Sequence, residues 1–117
     1  MATRAEVELF LERWRNACKV AVDFVPREKN IETLIELRMT KEQAKQSLRG
    51  LSVENYVSGP EKDESVQKGE LWVFGLEIGG REIYIKVKVY QANGLECAKC
   101  VSFHIAERSL RYPYAGR

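Results

Sequence analysis

The stretch LWVFGLEIGGREIYIKVKVY, Leu71 to Tyr90, decides the fold. Trp72, Phe74, Leu76 and Ile78 recur at a period of two, the spacing that turns one face of a β-strand toward a core. Gly79-Gly80 supplies the left-handed backbone that a tight hairpin turn needs. Ile83, Ile85, Val87 and Val89 then form the apolar face of a returning strand. Asn93-Gly94 marks a second turn, after which Val101, Phe103 and Ile105 predict the apolar face of a third strand.

Upstream of this meander the period is helical. Thr3 and Glu6 have the spacing of a capping box, in which each side chain satisfies a free backbone N–H at a helix start. Val7, Phe10, Leu11, Trp14 and Cys18 follow on one face of that helix. Ala21 to Val25, before Pro26, reads as a short strand or an extended linker. Ile31 to Leu37 predicts a short helix, and Thr40 with Gln43 opens another that stops near Gly50. Residues 59–70 are polar and turn-rich, which predicts a surface loop. Helices first and strands second give an α+β domain with N-terminal helices packed on one face of a twisted antiparallel β-sheet. One domain spans residues 1–117: helical to 58, a loop over 59–70, sheet over 71–106 and a C-terminal extension from 107.

The composition is 44% hydrophobic and 31% charged over 117 residues, which excludes a disordered chain. No apolar run is long enough to cross a bilayer, and the charged N-terminus lacks the apolar stretch of a signal peptide, so the expected location is cytoplasmic. Cys18, Cys97 and Cys100 make an odd count, which argues against a secreted disulfide framework. The net charge of +2 is uneven: residues 1–80 hold 12 basic and 14 acidic groups, residues 81–117 hold seven and three. A basic C-terminal half suits an anionic partner such as RNA, and equally a sheet edge kept soluble by lysines.

Strand alternation also sorts the chemistry. With odd-numbered residues facing the core, Tyr84, Lys86, Lys88 and Tyr90 share the opposite face with Cys100, Ser102 and His104. A hairpin centred near Gly94 sets Tyr84 opposite His104, the chain's single histidine, and Lys86 opposite Ser102. Histidine exchanges protons near neutral pH without large tuning, and flanking cations stabilise the extra negative charge of a phosphorane-like transition state. RNA carries its own nucleophile, the 2′-hydroxyl, so its cleavage needs only a base, an acid and cations, with no metal or other cofactor. His104, Tyr84 and Lys86 are the candidate catalytic groups; Lys88, Ser102, Arg108 and Arg111 are the candidate substrate-binding ones. The bland alternative is a solvated sheet face. Cys97 and Cys100 have the spacing of half a zinc site or a redox pair, but they enter a strand rather than open a helix. Tyr112-Pro113-Tyr114 reads as a cap over the sheet edge in preference to a platform for bases.

An ordered set of segments resembles a known family. Gly50-Leu51-Ser52, the Gly-Pro-x-x-Asp stretch at Gly59 to Asp63, Leu71-Trp72-Val73-Phe74-Gly75, Glu82-Ile83-Tyr84-Ile85-Lys86 and Val101-Ser102-Phe103-His104 are similar to segments of the MqsR family. Those proteins are toxins of type II toxin–antitoxin systems, mRNA interferases with a RelE/YoeB-like fold. The resemblance implies that Tyr84 matches the family's active-site tyrosine, and that His104 stands where its best-known branch has a catalytic lysine. It also implies that Lys62 corresponds to a second family lysine, whereas the family's active-site glutamine has no clear counterpart. The implied partners are a single-stranded mRNA substrate and a cognate antitoxin of the MqsA type, with a homodimer compatible. The competing reading is a non-catalytic RNA- or protein-binding module using the same basic face.

Overall fold

Two capping boxes fix where the first and third helices begin. Thr3 accepts from the Glu6 N–H at 3.1 Å while the Thr3 N–H donates to Glu6 Oε1 at 2.7 Å, opening α1 (Arg4–Cys18). Thr40 and Gln43 make the same reciprocal pair at the head of α3 (Lys41–Arg49). Between them lie β1 (Val22–Phe24) and α2 (Glu28–Leu37), which starts three residues before the predicted Ile31. A short 3-10 turn, Val53–Asn55, leads into β2 (Tyr56–Lys62), β3 (Glu70–Ile78), β4 (Arg81–Ala92) and β5 (Leu95–Ile105). The computed structural model describes residues 1–65 and 69–116; the part of the predicted loop at 66–68 and the basic Arg117 lie outside the described residues.

The five strands form one sheet in the order β1-β5-β4-β3-β2. The β1 strand runs parallel to β5, so the sheet is mixed rather than the antiparallel one expected. The predicted loop is also shorter than 59–70, because Gly59 to Lys62 belong to β2, where Glu61 and Lys62 pair with Leu71 and Glu70 of β3. Glycine and proline signal a loop, yet both are tolerated on an edge strand with bulges. β2 is such a strand, with register shifts on either side of Ser58. Gly59 has φ 103°, and a Cβ there would stand 2.8 Å from the Leu71 carbonyl oxygen.

The inner sheet face buries Trp72, Phe74, Ile83, Ile85, Val87, Ala98 and Phe103 against Val7, Phe10, Leu11, Trp14 and Cys18 of α1. Phe10 stacks on Trp72 with ring centroids 4.5 Å apart, and the Trp14 indole N–H donates to the Leu48 carbonyl at 2.9 Å. α2 lies elsewhere, along the β5 edge where β1 ends. Asn30 donates to the carbonyls of Val25 and Val101 and accepts the Phe103 N–H at 2.9 Å. Thr33 accepts the Ile105 N–H at 3.4 Å. Two side chains of a helix thus satisfy backbone groups that a further strand would otherwise pair.

Strands β4 and β5 pair with Tyr84 opposite His104 and Lys86 opposite Ser102, as expected. Nearer the turn the register shifts, so that Val87 faces Cys100 and Val101 is the extra residue of a bulge. That shift moves Cys100 to the inner face, where it is fully buried, and leaves Val101 half-buried. The same shift puts Cys97, opposite Tyr90, on the outer face. Among the described residues no helix is long and apolar enough to cross a membrane.

Candidate active site

The C-terminal extension builds one wall of the site. After Ile105 the Ala106 N–H donates to the Glu82 carbonyl, and the chain turns across the outer sheet face. The Glu82 carboxylate then holds it twice: Oε1 accepts the Leu110 N–H at 3.0 Å and Oε2 accepts the Tyr112 hydroxyl at 2.9 Å. Burial, reinforced by that carboxylate, raises the Tyr112 pKa to about 12, so its hydroxyl remains a donor. The strap passes over Gly75, where a Cβ would meet Leu110 Cδ1 at 2.7 Å. It ends with Tyr114 stacked on Tyr56 at 5.7 Å and donating to the Ala2 carbonyl. The two tyrosines cap the structure, the reading the sequence favoured.

Between this strap and the N-terminal turn of α2 lies a cleft of roughly 410 Å³, lined by Lys29, Tyr84, His104, Glu107, Arg108 and Leu110. The rings of Tyr84 and His104 stack across the strand pair, centroids 5.2 Å apart and planes 20° from parallel. His104 Nδ1 lies 3.1 Å from the Ile105 carbonyl oxygen. A carbonyl only accepts, so this contact is a hydrogen bond in the tautomer that carries its proton on Nδ1 and leaves the Nε2 lone pair free. The Lys86 ammonium stands 6.0 Å from the Tyr84 ring centroid and 3.4 Å from Glu61 Oε1.

The cleft therefore gathers Tyr84, His104 and Arg108, with Lys86 beside Tyr84. The remaining predicted residues are placed elsewhere. Lys88 is 1% exposed and bonded to Asp63, whose carboxyl that ammonium holds down at about 2. A loop thus covers an outer-face lysine that alternation alone assigned to solvent. Ser102 is buried, with Arg27 Nη1 3.3 Å from its hydroxyl. Lys62 pairs with Glu70, five rungs along β3 from Gly75, the residue opposite Tyr84. At about 3.3 Å per residue this is roughly 16 Å along the strands, too far for a shared scissile phosphate. Arg111 is exposed on the strap but does not line the cleft.

Lys29 and Glu107 were not foreseen, and they bond to each other at 3.2 Å. Glu107 had a signal, lying between His104 and Arg108 in sequence. Lys29 had none, because nothing local says that α2 runs along the β5 edge. The cysteine motif cannot form half a metal site here, since Cys97 and Cys100 point to opposite faces. Burial also pushes both the Cys18 thiol, to about 11, and the Cys100 thiol upward, away from the reactive thiolate. Among the described residues no three His, Cys, Asp or Glu side chains converge as metal ligands. Comparisons with protein-family models, with curated proteins and with solved structures gave no match.

Proposed function

We propose that the protein is a metal-independent endoribonuclease that cleaves single-stranded mRNA, the toxin of a type II toxin–antitoxin pair. The observation that carries the reading is the Tyr84–His104 stack inside a cleft that also holds Arg108 and Lys29. His104 Nε2 takes the proton of the 2′-hydroxyl as its oxygen attacks the adjacent phosphorus. The Tyr84 hydroxyl gives its proton to the departing 5′-oxygen, and the products end in a 2′,3′-cyclic phosphate and a 5′-hydroxyl. Arg108 and Lys86 face the charge that builds on the phosphate oxygens. The resemblance to MqsR toxins supports the same assignment and adds a cognate antitoxin of the MqsA type.

Stacked, half-buried rings beside cations also suit a module that binds RNA without cutting it, because aromatic faces hold unpaired bases. Controlled induction in a bacterial host separates the two readings. The nuclease reading expects growth arrest with loss of full-length mRNA, and relief of both by His104→Ala. A folded His104→Ala variant that remains equally toxic excludes His104 as the catalyst.

A further inference from the structure

Glu107 and Lys29, bonded to each other at 3.2 Å, line the space beside His104. The same two residues line the roughly 410 Å³ cleft and a neighbouring hollow of about 180 Å³ formed by Glu32, Thr33, Glu36, His104 and Ile105. Their ion pair therefore lies between the two spaces, at the mouth of the histidine. The Glu107 carboxyl is held below the ordinary range, first by its hydrogen bond from Lys29 and then by the nearby charges of His104 and Arg108. A carboxylate among three basic side chains occupies the kind of position a phosphate oxygen would take. The Lys29 and Glu107 side chains are 56% and 75% exposed, so water competes with the bond and a bound anion can replace it.

We propose that Lys29 is a phosphodiester-binding residue of this cleft and that Glu107 is its internal competitor, displaced when single-stranded nucleic acid enters. This rests on the nuclease reading for its substrate class, but not for its test. The probe is a single-stranded 2′-deoxyoligonucleotide, which lacks the attacking hydroxyl and is not cut, titrated onto the full chain at low salt, with inorganic phosphate as a parallel probe. Glu107→Gln is expected to bind the oligonucleotide about three- to tenfold tighter, and Lys29→Ala more weakly by a similar factor. The double variant is expected to bind no tighter than Lys29→Ala alone. Both side chains are exposed, so neither replacement disturbs the core. An unchanged affinity in Glu107→Gln overturns the proposal. So does an equal gain with Lys29 absent, which marks a general charge effect, or a gain confined to inorganic phosphate. Intact RNA with the wild-type protein sinks the nuclease reading while this binding cycle still decides for or against displacement.

Discussion

At the scale of single residues, Lys88 and His104 show how one sheet face treats two basic side chains differently. Both alternate outward, yet Lys88 is sealed under Asp63 while His104 borders an open cleft. The Asp63 carboxyl is depressed from 3.8 to about 2, so the pair stabilises the fold at pH values above about 4 and that contribution is lost as pH falls through 2. The shift corresponds to about 2 kcal/mol. Asp63→Asn also leaves a buried ammonium without its carboxylate, a change that costs about 3–5 kcal/mol in buried pairs. Urea titrations at pH 7 are expected to show that loss. Equal stability of Asp63→Asn and wild type would mean that the pair is not a buried one in solution. Tyr84→Phe keeps the stack with His104 and removes the proposed proton donor, so under the nuclease reading cleavage is expected to slow by about 10²-fold or more with oligonucleotide affinity unchanged. A lower affinity at an unchanged rate would place Tyr84 in binding only.

At the scale of elements, the strap is the part that turns a sheet face into a cleft. It crosses the sheet over Gly75, where Tyr112 Cε1 would lie 2.9 Å from an added Cβ. Gly75→Ala is therefore expected to cost about 1–3 kcal/mol, in the range of other overpacking changes. In a Leu110→Ala/Tyr112→Ala background the same substitution is expected to cost much less, because both side chains that an added Cβ would meet are then gone. Additive costs would show that the strap does not lie on Gly75. A glycine inside a strand, as Gly75 is, signals a bulge or a close backbone approach, but the sequence cannot say what approaches, since Tyr112 lies 37 residues downstream. The β4–β5 pairing carries a related lesson. Tyr84 meets His104 as the alternation predicts, although the turn centre is displaced and the Val101 bulge restores the register. Alternation is blind to a one-residue bulge, so it assigned Cys100 to the wrong face.

At the scale of the whole molecule, the helix starts, the β3–β4–β5 meander and the Tyr84–His104 rung were legible because each follows from local periodicity and capping chemistry. The parallel β1 and the β2 edge were not, because long-range strand pairing decides them, and neither was the seat of α2, which Asn30 and Thr33 set by bonding to β5. Long-range contacts also redistribute the uneven charge of the chain. The basic C-terminal third looks like a cationic face, but the acidic N-terminal part folds onto it. Glu61 reaches Lys86, Asp63 reaches Lys88 and Glu36 reaches Arg81 at 2.7 Å. Arg108 and Lys29 line the cleft beside His104.

Cleavage of a single-stranded RNA by the purified protein in the presence of a chelator, with the ends of the products identified, tests the central claim most directly. The account predicts 2′,3′-cyclic phosphate and 5′-hydroxyl ends from the wild type. It also predicts a rate lower by about 10²–10⁴-fold in His104→Ala, the usual contribution of a positioned acid or base. RNA left intact by a folded wild-type protein, or cut equally well by His104→Ala, would contradict it.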